Sequence, residues 1–252
     1  PKLPSIRTAA DQGKASAGAC MALKARVAYY AHKYEVAETA AKAVMDMNVY
    51  GLADNYEMLF NPEYEMCNEI IFAKQYNANP ANSIEGNKII QFFAPVMAHG
   101  WEALSPTQDM IDAYECVDGL PISKSPLYDA ANPFENRDPR LAYSVLWPGA
   151  EFPRGVDQTI VKFDNKNMGD GSHTRTGYSM RKYFDADEYP LRVYYQCNFI
   201  YIRYAEVLLT YAEARNEQLS APDASVYAAV NQVRQRISVE MPALKEGMTK
   251  EE

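Results

Sequence analysis

Apolar positions recur every three to four residues in four stretches of this chain. Between residues 14 and 31 they are Ala15, Ala19, Leu23, Val27 and Tyr30, a spacing that predicts a helix with these residues inward. Its many alanines would let a neighbouring helix approach closely. A turn at His32 and Lys33 leads to a second predicted helix over residues 35–47, with Val36, Ala40, Val44 and Met47 inward and Gly51 as the stop. Residues 201–217 read as one long amphipathic helix. Tyr201, Ala205, Leu208 and Ala212 share a face, Ile202 and Leu209 widen it, and no glycine or proline interrupts a run of good helix formers. Pro222 and Asp223 start a partner helix with Val226, Val230, Val233 and Ile237 inward. The pattern therefore predicts two helical hairpins, at 14–47 and 201–238.

Between the hairpins the periodicity breaks up. Residues 50–66 read as loop and short helix, and the short apolar run at 69–75 fits either a strand or a buried turn of helix. Residues 75–87, QYNANPANSIEGN, form a non-periodic loop long enough to suggest function. An apolar run at 89–96 is followed by His99-Gly100-Trp101 in a second loop, and Ser105-Pro106-Thr107 opens a further helix. Glu135, Asn136, Arg137, Asp138 and Arg140 lie between Pro133 and just past Pro139. Such dense mixed charge reads as a self-paired polar turn capping the next helix, in preference to an arginine clamp on a ligand. Residues 150–175 read as loop, and 178–183 as an extended segment. Asp164, Asn165, Asn167 and Asp170 lack the spacing of a calcium loop. The expected fold is mainly α, with tetratricopeptide-like helical hairpins, a loop-rich middle and few short strands.

Composition narrows the function. The 252 residues carry a net charge of -8, which argues against a nucleic-acid partner. No apolar run approaches the length of a membrane span, and the first residues, PKLPSIRTAADQGKAS, have no apolar core of a signal peptide. Cys20, Cys67, Cys116 and Cys197 form no CxxC pair and read as small buried residues. His32, His99 and His173 are far apart, so neither a metal nor a cofactor is expected. Glu206 and Glu213 lie two helical turns apart beside the apolar stripe, with Arg203 one turn before Glu206. Pairing that fixes helix packing accounts for these charges better than acid–base catalysis does, because a single helix selects no catalytic geometry.

The segment IRYAEVLLTYAEARNE, from residue 202 to 217, resembles the signature helix of the SusD/RagB family. Three more blocks are similar to that family in the same order: KASAGACMALKARVAYYAHKYEVAETAAKAV at 14–44, SPTQDMIDAYECVDGLPI at 105–122 and NPFENRDPRLAYSVLWPGA at 132–150. The resemblance implies one SusD-like domain over 1–252, incomplete at both ends and lacking the segment that bears the signal peptide and lipid anchor. It implies a non-enzymatic outer-membrane lipoprotein at the cell surface. Such a protein binds glycan, oligosaccharide or peptide and works with a SusC-like TonB-dependent transporter. These blocks are scaffold motifs, so the resemblance assigns no ligand-contacting residue.

Candidates for contact come from the loops. Sugar faces stack on aromatic rings, and amides bond hydroxyls. Trp101 beside His99 is the leading candidate, with Tyr76, Asn77 and Asn79 of the amide-rich loop at the same rim. Gly100 would let the backbone approach a ligand. Trp147 reads as structural. Two rival functions are a glycoside hydrolase using Glu206 and Glu213, and a repeat scaffold that binds protein through 14–47.

Overall fold

A computed structural model describes residues 2–11, 13–77, 86–98, 100–154, 159–164, 174–184 and 196–251. Seven helices are described in chain order: α1 (Ala17–Tyr30), α2 (Tyr34–Met45), α3 (Ile89–Phe93), α4 (Gln108–Asp112), α5 (Pro139–Ser144), α6 (Tyr204–Glu217) and α7 (Ala224–Arg234). Six short strands accompany them: β1 (Ile70–Lys74), β2 (Val145–Leu146), β3 (Glu151–Arg154), β4 (Thr159–Lys162), β5 (Ser179–Met180) and β6 (Phe199–Arg203). The chain divides into two compact units. One comprises Pro1–Asn55, Met66–Gln75 and Phe199–Glu252; the other comprises Tyr56–Glu65 and Tyr76–Asn198.

The first unit holds both expected hairpins, α1–α2 and α6–α7. Ser16 caps α1 by accepting from the Ala19 amide at 3.0 Å, which satisfies one of the free donors at the helix start. The buried face of α1 is Gly18, Ala19, Ala22, Ala25 and Ala28. The expected inward face is therefore corrected: Ala19 is buried, but Leu23, Val27 and Tyr30 are 50%, 60% and 76% exposed. Packing distance is the reason. Ala37, Ala40, Ala41 and Val44 of α2 meet the small face of α1, and bulkier side chains would hold the two helices apart. Gly18 is fixed the same way, since a Cβ there would lie 2.1 Å from the Tyr50 hydroxyl. On α2, Val36 is exposed rather than inward.

The predicted helix at 201–217 is corrected at its start. Residues 199–203 form β6, which pairs antiparallel with β1 (Phe72 with Ile202, Ala73 with Ile200), so α6 begins at Tyr204. The pairing also settles the ambiguous run at 69–75 as a strand. Tyr204, Ala205, Val207, Leu208, Tyr211, Ala212 and Ala214 form the buried face of α6, whereas Leu209 and Tyr201 are exposed. Each fully buried large apolar side chain stabilises the fold by about 1.5–3 kcal/mol. Asp223 caps α7, accepting from the amides of Ser225 and Val226. Val226 and Val233 are buried as expected, and Ile237 lies past the helix end in solvent.

A buried charge cluster lies at the foot of β1. Glu69 is fully buried; one carboxylate oxygen accepts from Arg203 Nη1 at 2.8 Å, and the other from the Ala53 amide at 2.7 Å and from Arg236 Nη2. Arg203 therefore serves Glu69 and not Glu206.

In the second unit, β2 pairs with β5 and β3 with β4. The β3–β4 ladder, with Phe152 opposite Val161, occupies part of 150–175, where only loop was expected. Alternation explains it: Phe152 and Phe163 enter a core with Ala98, Leu146 and Ala150. Trp147 stacks on Phe134 with ring centroids 4.6 Å apart, in keeping with a structural role. The charged turn is also structural. Arg137 donates to the carbonyls of Pro133, Ile111 and Tyr114, and Asp138 caps α5 while pairing with Arg140.

Candidate ligand-binding site

Trp101 is held from its backbone outward. Its amide donates to the Gln91 carbonyl at 2.6 Å, while Glu102 and Ala103 donate to the carbonyls of Ala94 and Phe92. The segment is thereby folded back on α3 and the turn that follows it. Gly100 is required by this fold-back, because a Cβ there would lie 2.1 Å from the Ala94 carbonyl oxygen. The close approach at Gly100 is to the protein's own chain. The Trp101 side chain is 53% exposed and meets the Phe92 ring edge-to-face, with centroids 5.0 Å apart and planes at 85°. Phe92 is exposed as well. Two supported rings in water, with a backbone fixed by four hydrogen bonds between residues 100 and 103, make a platform on which an apolar face can stack.

The rest of the predicted rim is described in part. Tyr76 is half-buried, and its amide donates to Asn198 Oδ1 at 2.9 Å; the Asn198 amide donates in turn to Glu65 at 2.7 Å. Asn87, at the far foot of that loop, donates to the Cys197 carbonyl. Asn77 is exposed. His99 and Asn79 lie outside the described residues. Trp101 and Tyr76 are thus anchored by different partners, Phe92 and α3 in one case and Asn198 in the other. Phe92 was missed by sequence reasoning. It lies within an apolar run, and nothing in the pattern tells the exposed member of Phe92-Phe93 from the more covered one.

The two carboxylates of α6 are engaged with α1. Glu206 accepts from Arg26 through both oxygens, at 2.5 Å from Nε and 2.6 Å from Nη2, and the Arg26 Nη2 also reaches the Tyr201 carbonyl at 2.5 Å. That bond to Glu206 raises the pKa of the Arg26 guanidinium. Glu213 accepts from the Tyr29 hydroxyl, which is pushed up to about 12 by this bond first and by burial second. Both contacts tie α6 to α1, as expected of structural charges. Asp164 of the oxygen-rich loop donates its amide to Met97 Sδ, while Asn165, Asn167 and Asp170 lie outside the described residues. Among the described residues, no group of three or more His, Cys, Asp or Glu gathers as a metal site.

The model of the SusD family matches residues 68–251. No curated protein sequence matches. A SusD-like carbohydrate-binding protein from Bacteroides fragilis superposes with a TM-score of 0.85 at 30% identity, covering 99% of this chain and 50% of that one. A second SusD-like protein from the same organism gives 0.79 at 30% identity, covering 98% and 51%. Surface glycan-binding protein A from Bacteroides uniformis shares the fold, with a TM-score of 0.62 at 18% identity, covering 96% and 47%. The chain spans about half the length of these solved structures. With a family match over most of its length and relatives of the same kind at 30% identity, the chain belongs to the SusD family.

Proposed function

We propose that this chain binds a glycan or oligosaccharide at the cell surface, without catalysis, and that the bound ligand passes to a SusC-like TonB-dependent transporter in the outer membrane. The observation that carries the binding is the exposed, backbone-fixed indole of Trp101 on Phe92, in a chain whose relative from Bacteroides fragilis is a SusD-like carbohydrate-binding protein. Sugar rings present an apolar face and a polar edge. Trp101 supplies the surface for the first; Asn77, together with His99 and Asn79, supplies donors and acceptors for the second. Tyr76 belongs to the same rim. The absence of catalysis is supported by the engagement of Glu206, through both oxygens, with Arg26 and of Glu213, through one, with Tyr29. The reading includes attachment to the outer membrane through a lipid anchor; no helix among the described residues is long and apolar enough to cross a membrane.

The test is titration of the full-length protein with a panel of neutral oligosaccharides and, in parallel, peptides, read by tryptophan fluorescence. The chain has two tryptophans, and Trp147 is packed against Phe134. An emission change on sugar addition that is lost in Trp101→Phe supports the site. Saturable binding of peptides but of no glycan would replace the glycan by a peptide, and sugar release from a polysaccharide would overturn the non-catalytic reading.

A further inference from the structure

Two side-chain amides converge on one buried dipeptide, Cys197-Asn198. Asn198 Oδ1 accepts from the Tyr76 amide at 2.9 Å, and Asn87 Nδ2 donates to the Cys197 carbonyl. Tyr76 and Asn87 stand at the two ends of the 75–87 loop, so both feet of that loop meet the same dipeptide. The dipeptide is itself fixed by two further bonds. Cys197 Sγ donates to the Phe60 carbonyl at 3.1 Å, and the Asn198 amide donates to Glu65 Oε1 at 2.7 Å. Asn87, Cys197 and Asn198 are all buried.

Asn87 also reaches the platform. Its Oδ1 accepts from the Ile89 amide at 2.9 Å, one of the free donors at the start of α3. A carboxamide is planar, with its acceptor and its donors on separate arms. Using both arms fixes the start of α3 relative to the Cys197 carbonyl. α3 carries Phe92, which the Trp101 ring meets, and offers the carbonyls of Gln91 and Phe92 to the amides of Trp101 and Ala103. Two short paths therefore leave the dipeptide. One runs through Asn198 to Tyr76 and Asn77, and the other through Asn87 and α3 to Trp101. The net stability from such bonds is small, whereas the orientation they impose is sharp.

We propose that Asn87 and Asn198 are positioning residues for the glycan. Cys197-Asn198 is the common frame that holds the Trp101 platform and the rim at Tyr76 and Asn77 in register, so that one oligosaccharide engages both. The inference rests on the glycan reading of this site and adds a requirement to it. The ligand must be long enough to reach from the indole to the rim, so the frame reads chain length while Trp101 supplies the stacking surface.

The test uses the full-length protein and the neutral oligosaccharide of the panel that the parent protein binds most tightly. That sugar is taken as a series graded in length from the disaccharide upward, with affinity read by tryptophan fluorescence. Asn198→Ala should weaken binding of the longer members about tenfold and leave that of the disaccharide unchanged. Asn87→Ala should show the same length dependence. Asn198→Asp keeps an oxygen that can accept from Tyr76 and should restore most of the affinity. Hydrogen exchange at the Tyr76 amide should speed about tenfold in Asn198→Ala. The Phe163 amide, bonded to the Ala150 carbonyl in the core of the same unit, should stay protected. If Asn198→Ala loses that protection, Asn87→Ala decides. An equal loss for the disaccharide and the longer chains would overturn the inference by making both amides merely structural. Parent-like binding of the whole series by both alanine variants would overturn it as well, with the glycan reading intact. Absence of glycan binding by the parent protein would overturn the reading of the site and this inference with it.

Discussion

At the residue scale, three side chains carry separable expectations. Trp101 is fixed by its backbone and leaves much of its ring in water, so removing it should cost affinity and little stability. An aromatic contact is worth about 1 kcal/mol beyond area burial, and burial adds roughly 25 cal/mol per Å². Trp101→Ala should therefore weaken glycan binding tenfold or more, at about 1.4 kcal/mol per decade, with a nearly unchanged melting temperature. Calorimetry of binding and of unfolding on the same sample checks both. Glu69 is the opposite case. Its carboxylate is fully buried between Arg203 and Arg236, and Glu69→Ala strands both cations, at a cost of about 3–5 kcal/mol in urea unfolding. Glu206 falls between these two. Its pair with Arg26 is partly solvated, so Glu206→Gln should cost only about 1 kcal/mol. A loss as large as that of Glu69→Ala would show the α1–α6 contact to be far less hydrated than the exposure of the pair implies.

At the scale of elements, α1 and α7 make the sharpest statements. The alanine face of α1 is packed on α2 and leaves no room, so Ala25→Leu should destabilise the first unit by about 1–3 kcal/mol through overpacking. Thermal unfolding that is unchanged or improved would show slack between these helices. Asp223 caps α7 and also accepts from the Ser225 hydroxyl and from Arg215. The Ser225 hydroxyl bond, opposed by burial and followed by Arg215, lowers its carboxyl to about 2. Because the folded-state pKa lies below the unfolded one, the stabilisation is complete above about pH 4. It is lost as pH falls through 4 toward 2. Asp223→Ala should cost about 1 kcal/mol at neutral pH, and the gap from the parent protein should close in acid. A gap that stays constant from pH 7 to pH 2 would mean that the charge contributes nothing.

At the scale of the whole molecule, a neutral oligosaccharide, the ligand proposed above, offers no charge for the acidic chain to act on, so its binding should be insensitive to salt. Affinity for an oligosaccharide should stay level as ionic strength rises, where a phosphate-bearing ligand would respond steeply. What the sequence determined alone is the pair of helical hairpins and the family. Periodicity over ten or more residues is a local property, and the blocks at 14–44, 105–122, 132–150 and 202–217 are contiguous text. The cap at Asp223 and the Asp138–Arg140 pair were legible for the same reason, since their partners lie within a few residues, whereas Arg137 reaches back to the carbonyls of Ile111 and Tyr114. Tertiary structure decided what periodicity leaves open. The spacing of α1 fits two faces, and the choice of the alanine face over Leu23, Val27 and Tyr30 comes from how near α2 must lie. The strand at 199–203 exists because β1, far away in sequence, supplies its hydrogen bonds, and without that partner the same letters read as helix. Glu69 finds Arg236 across 167 positions, and Phe92 meets Trp101 only because the chain doubles back over α3. Contacts of this kind have no local signature. They are fixed by closing long loops around a core, and that is a property of the folded chain.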